Sequence, residues 1–322
     1  MHTRYAIDPS EGIAASSELD APLHAFVAPD EQEKALILEQ FQLDRYDLDS
    51  ALDADEVARL ETSGNEAFIV WKAPRNAQGG DPSQLGVYSL GIVLTETQLA
   101  FVTSEVEVEF TAREFRNART PADVLLAALL RTIRHYVGHL RVIKQISGDL
   151  EKKITVSMEN RYLLQMFALG ESLIYYSDAI DGNGAVLAKL RNAAGRLGIS
   201  GPHLELLDDI ILENNQASQQ AHIYSSVLSG LMDARGTIVN NNMNVLLKNL
   251  MLINIVFLPL NLIASVGGMS EWSMMTRGVD WRLSYGLFMA GMVVFGWATW
   301  FLMTHLTARN DGELKLKRRR RG

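Results

Sequence analysis

Two long stretches without charge constrain this chain more than any other feature. No Asp, Glu, Lys or Arg occurs between Lys248 and Glu271, and none between Arg282 and Arg309. Each gap exceeds the roughly 20 residues that a helix needs to cross about 30 Å of hydrocarbon. A net charge of −8 over 322 residues, taken as an average, suits an ordinary soluble protein. Resolved along the chain, residues 1–247 sum to −14 and residues 248–322 to +6. A large acidic soluble part is therefore joined to a small basic membrane part.

The flanks set the expected topology. Lys315-Leu316-Lys317-Arg318-Arg319-Arg320-Arg321 follows the second gap, where basic residues hold a segment in the cytoplasm. Met1 to Pro29 carries polar residues throughout and reads as no signal peptide. Two spans return the chain to its starting side, so the soluble part and the tail are expected in the cytoplasm, with only Ser270 to Arg282 outside. The absence of cysteine excludes disulfides, thiolate metal sites and Cys nucleophiles.

From Leu23 to about Phe110 short apolar runs predict strands: Leu23–Val27, Ala67–Trp71, Ser89–Leu94 and Leu99–Thr103, the last two as a hairpin. Val106–Phe110 alternates like a strand with one wet face, and Pro74–Gln84 reads as a loop. Thr120-Pro121-Ala122-Asp123 resembles a helix start. Val124, Leu125, Ala128, Leu129, Ile133, Val137 and Leu140 then trace one helical face. A second helix is expected from about Ser157 to Ile180, broken by Asp181-Gly182-Asn183-Gly184, with a shorter one running on to about Leu197.

Beyond Pro202 no proline occurs before the membrane. Leu207, Ile210, Asn214, Ala217, Ala221, Tyr224, Leu228, Leu231, Arg235, Ile238, Asn242, Val245 and Asn249 alternate steps of three and four, a seam of about six heptads. A helix continuous with the first span is about 100 Å long. Such a rod is too long to bury its seam in one small domain, which predicts helices of other copies as partners, closed into a ring.

The first span is not a plain anchor. Stepping by three and four from Asp233 gives Thr237, Asn240, Asn244, Leu247, Met251, Asn254, Leu258, Asn261, Ser265 and Gly268, and Leu250 is an alternative to Met251. Around an axis of identical helices each position becomes a ring. Amide rings hold water on a hydrated ion and apolar rings gate by dewetting. The competing reading is that these amides join neighbouring helices.

Asn241-Asn242-Met243-Asn244, Phe257-Leu258-Pro259-Leu260, Gly267-Gly268-Met269-Ser270, a short loop, a second span and a basic tail together resemble the CorA-type metal ion transporters. This two-transmembrane GxN family includes magnesium channels and zinc transporters. The resemblance implies an α+β/α membrane protein, a homopentameric funnel in a bacterial-type inner membrane with both termini cytoplasmic. It divides the chain into a cytoplasmic α/β domain with a helical second half (1–200), a stalk helix (201–248), a pore-lining first span (249–269), a periplasmic loop (270–282), a second span (283–306) and a basic tail (307–322). It also implies that Asn244 forms the pore's inner mouth, Asp233 an acidic ring below it, and Leu247, Leu250 and Leu258 apolar constrictions. Gly268, Met269 and Ser270 stand at the entrance motif, where Ser270 replaces the signature Asn.

By the same resemblance an acid at Asp209 takes part in a regulatory divalent site between copies, with Glu205, Asp208 and Glu213 nearby. A solvated acidic face is the alternative. His135 and His139 read as a surface pair rather than zinc ligands, because Arg131, Arg134 and Arg141 lie beside them. Gly195–Gly201 follows a helix and lacks the setting of a phosphate loop, and no Walker, GxSxG or HExxH sequence occurs. The expected function is a channel or transporter for Mg2+ or Zn2+, with no covalent cofactor, no enzymatic activity and no nucleic-acid partner. The alternative is a non-transporting scaffold or sensor that keeps the fold.

Overall fold

The computed structural model describes the chain except residues 9–11, 19, 77–84, 106, 107, 109, 157–159 and 320–322. It divides into two units, Met1–Asp233 and Ala234–Gly322.

The first unit is a three-layer α/β structure. Its sheet holds β1 (His2–Asp8), β2 (Gly12–Ser16), β3 (Leu23–Val27), β4 (Arg59–Ser63), β5 (Glu66–Pro74), β6 (Val87–Leu94) and β7 (Leu99–Thr103), in the order β2-β1-β3-β7-β6-β5-β4. Only the central β3–β7 pair is parallel, and β6 and β7 form the expected hairpin. Both faces are covered. Alternate residues Ile69 and Trp71 of β5 join one core, whereas Phe68 and Val70 join the other with α1 (Glu31–Gln40) and α2 (Arg45–Leu52). Two covered faces explain why these strands read as unbroken apolar runs.

The first core is completed by α3 (Pro121–Val156), α4 (Asn160–Ala193) and the first half of α5 (Pro202–Gly267). Val124, Leu125, Leu129, Ile133 and Leu140 are fully buried, as the periodicity of α3 requires. The expected break at 181–184 is absent, since α4 runs through it. These residues serve packing instead. A Cβ on Gly182 would lie 3.1 Å from that of Ala58, and one on Gly184 3.0 Å from Asn214 Nδ2. Asn183 bonds the backbone of Lys72, and Asp181 accepts from Ser218. In this unit the helices α1 and α2 and the strands β1, β2 and β4 lie outside the elements that the sequence predicts. The predicted strand at 106–110 lies largely outside the described residues, as do positions 77–84 of the predicted loop.

The seam of α5 is only partly open. Leu207, Ile210, Asn214, Ala217, Ala221 and Leu228 are buried within their own unit, where Leu228 Cδ2 approaches Gly170. The chain's own helices, rather than another copy, cover this part, which corrects the expectation for the first heptads. Ile238 and Val245 are about half exposed.

In the second unit α5 continues without interruption to Gly267, giving 66 residues and about 100 Å. A short α6 (Ser270–Met275) and α7 (Trp281–Arg319) follow. Two stretches, one within α5 and one at Trp281–Leu302, are long and apolar enough to span a membrane, and neither is buried by the chain itself.

Candidate functional site

The expected pore positions all lie on α5, and their placement relative to α7 distinguishes two faces. Within the apolar stretch Leu252, Val256, Pro259, Leu260, Ile263 and Gly267 are partly covered. Their partners recur every fourth residue on α7: Ser284, Phe288, Met292 and Gly296 are likewise partly covered. Gly267 lies directly against the Phe288 ring, and Leu260 Cδ1 comes 3.3 Å from a Cβ built on Gly296. At about 100° per residue, Met251, Asn254, Leu258, Asn261 and Ser265 cluster roughly opposite that face. All five are exposed in the single chain, as are Leu247 and Leu250. Further towards the N-terminus, Asp233, Thr237, Asn240 and Asn244 are also exposed.

Burial of apolar area thus pairs one face of the span with α7 and leaves the amide-bearing face uncovered. Uncovered amides in hydrocarbon are costly, so this face requires protein or water against it. Pro259 sits on the covered side and withdraws one backbone donor within the span.

At the end of α5, Gly268 N–H donates to the carbonyls of Ala264 and Ser265. Met269 is the N-cap residue of α6 and is half exposed. The Ser270 hydroxyl donates to Glu271 Oε2 at 3.2 Å. Its proton is directed along the loop to a neighbouring carboxylate.

The stalk acids separate into two groups. Arg191 grips Asp208 with two bonds of 2.6 and 3.2 Å, and this guanidinium holds the carboxyl below the usual range. Arg134 lies 3.6 Å from Glu213 and also donates to Glu114 at 2.8 Å. Glu205 and Asp209, one turn apart, are exposed. Among the described residues no three His, Asp or Glu side chains gather as a metal site within one chain.

Other contacts fasten the first half of α5 to the rest of its own unit. His203 Nε2 lies 2.6 Å from Asp123, which also accepts from the Arg119 and Thr120 N–H groups and caps α3. Burial opposes ionisation of Asp123, but these donors together hold its carboxyl below the usual range. Asn214 donates to Ile180 O, and His222 bonds Asp181 at 3.0 Å. Spacing gave no signal for these links, because their partners lie between 34 and 80 residues apart.

His135 and His139 are half-buried, not a surface pair. His135 Nε2 bonds Asn76 at 2.8 Å, and His139 Nδ1 shares a hydrogen bond of 2.6 Å with the Tyr176 hydroxyl. Burial lowers both imidazoles, His139 to about 4, with His135 adding to the effect on His139.

Comparison with known proteins places this geometry. The family model for CorA-like Mg2+ transporter proteins matches residues 25–309. The cobalt/magnesium transport protein CorA of Methanocaldococcus jannaschii is 22% identical over 250 residues, covering 75% of this chain and 77% of the relative. The complete structure of the CorA magnesium transporter from that organism superimposes with a TM-score of 0.75 at 19% identity, covering 94% of this chain and 96% of the other. The full-length CmaX structure gives 0.71 at 12% identity, covering 95% and 97%.

Proposed function

Since the chain belongs to the CorA-like Mg2+ transporter family, a family of ion transporters and not of enzymes, we propose that its own polar α5 face lines a path for a divalent cation of the Mg2+ or Zn2+ class. The observation that carries this reading is the opposition of faces on α5: the amides of Asn254 and Asn261 and the hydroxyl of Ser265 point away from the side covered by α7. Five copies around an axis place these groups in rings.

Mg2+ sheds water reluctantly, so amide oxygens accept hydrogen bonds from its hydration shell rather than replace it. Leu247, Leu258 and either Leu250 or Met251 form the apolar rings between them, where the pore closes by losing its water. Asn244 stands at the inner mouth with Asp233 below it, and Gly268, Met269 and Ser270 at the entrance. The two spans run over 249–269 and 283–306, with residues 1–248 and the tail in the cytoplasm of a bacterial-type inner membrane. Glu205 and Asp209 are the acids left to share a regulatory cation with a second copy, because Arg191 and Arg134 hold Asp208 and Glu213.

Full-length protein in liposomes loaded with Mg2+- and Zn2+-sensitive dyes tests the reading, with a known channel as control. Influx down an imposed gradient of at least one ion is expected, and no influx of either overturns transport. One observation favours a scaffold or sensor instead. Ser270 bonds Glu271 within a loop whose charges, Glu271 and Asp280 against Arg277 and Arg282, cancel. If that reading holds, the native chain is silent and Ser270→Asn restores flux.

A further inference from the structure

A cavity of about 1070 Å3 opens where α5 ends and α7 begins, entirely within the C-terminal unit. Partly covered Trp272 of α6 and Phe288 and Met292 of α7 form its apolar floor, and the exposed Arg277 and Arg282 line its rim. The Arg282 guanidinium stands 5.4 Å over the exposed Trp281 ring. Among the described residues no carboxylate lies within 4.0 Å of either guanidinium, the limit for an ion pair. Asp280 also lines the cavity, but its carboxylate accepts the Arg282 backbone N–H at 3.0 Å and caps α7.

We propose that this cavity binds a glycerophospholipid, its phosphate on Arg277 and Arg282 and an acyl chain along the Trp272–Phe288–Met292 floor. The inference rests on the reading of α5 and α7 as membrane spans. Two charged donors without a carboxylate call for an anion, and arginine forks match phosphate oxygens. A small anion alone fills the rim and leaves the apolar floor wet, whereas a neutral lipid leaves both guanidinia unpaired. Tryptophans at a span end mark the level of the headgroups, where a phosphate is available. The volume exceeds the roughly 300–1,000 Å3 of most small-ligand sites and suits part of a lipid. Gly267 and Gly268 form part of the wall, so the bound lipid touches the helix that carries the entrance motif.

Native mass spectrometry of the full-length, delipidated protein in detergent reads the binding without reference to flux, so its failure and a failure of transport are separable. The probes are dioleoyl phosphatidylglycerol, dioleoylglycerol and inorganic phosphate. Phosphatidylglycerol is expected to bind at least about tenfold more tightly than the diacylglycerol, and phosphate not to displace it. In R277Q/R282Q that preference is lost while diacylglycerol binding is unchanged. Lys248→Gln, at the other end of the first span, retains the native preference. If the double variant does not fold, R277Q and R282Q alone each give an intermediate loss. Equal binding of the two lipids, an unaltered preference in the arginine variants, or displacement by phosphate overturns the proposal. So does an absence of lipid binding by the native chain, the result expected if a second copy fills the cavity.

Discussion

Asn183 joins α4 to the sheet at a position where a strand partner is missing. β4 pairs with β5 only as far as Arg59 opposite Val70, which leaves the Lys72 backbone without a strand on that side. Asn183 supplies the missing bonds, donating to Lys72 O at 2.8 Å and accepting from its N–H at 2.9 Å. Both residues are buried, so Asn183→Ala strands a donor and an acceptor at a cost of about 2–4 kcal/mol. Urea unfolding of the full chain in detergent, followed by near-ultraviolet circular dichroism, measures the loss, and a change below about 0.5 kcal/mol contradicts the role. In sequence, Asp181-Gly182-Asn183-Gly184 reads as a helix break because its propensities are those of turns. Its function is tertiary: two glycines admit close neighbours and two polar side chains bond distant segments, none of it visible in local pattern.

The helix pair α3 and α4 carries a pH dependence of known sign. His139 is neutral in the fold, its imidazole lowered to about 4 by burial, whereas an unfolded histidine titrates near 6.5. As pH falls from about 6.5 towards 4 the unfolded chain gains a proton that the folded chain does not, so stability falls over that window. His2, His24 and His135 are lowered in the same direction, chiefly by burial. Melting temperatures from pH 7 to pH 4.5 are therefore expected to drop, and His139→Gln to reduce the drop without abolishing it. An identical slope in the variant contradicts this assignment. At this scale the strong signals were legible: β3, β6, β7, the core of β5, the α3 face and the length of α5 follow from runs and periods. α1 carries no such period: Asp30 and Glu33 spell its capping box, but its apolar content is slight. The seam of α5 is legible but its partner is not, because the same spacing suits a helix of the same chain and a helix of another copy equally well, and α4 of the same chain takes its first heptads.

At the scale of the whole molecule the polar residues of the charge-free span that signalled a pore, Asn254, Asn261 and Ser265 on a stripe of three- and four-residue steps, occupy the face of α5 that α7 leaves open. The structure adds the second half of that statement, which periodicity alone could not supply: the covered face, fixed by Gly267 against Phe288 and Leu260 against Gly296. On the proposed reading a ring of copies gives the open face its partner, so native mass spectrometry of the intact protein is expected to return five chains. A monomer contradicts it. The chain contains no cysteine, so single substitutions report cleanly on each face. The most direct test is Mg2+ and Zn2+ influx into liposomes through Asn261→Cys and Ile263→Cys proteins before and after a membrane-impermeant thiol reagent. The conducted ion is expected to be blocked in Asn261→Cys and unaffected in Ile263→Cys, whereas equal block of both, or block of Ile263→Cys alone, contradicts a pore lined by the polar face.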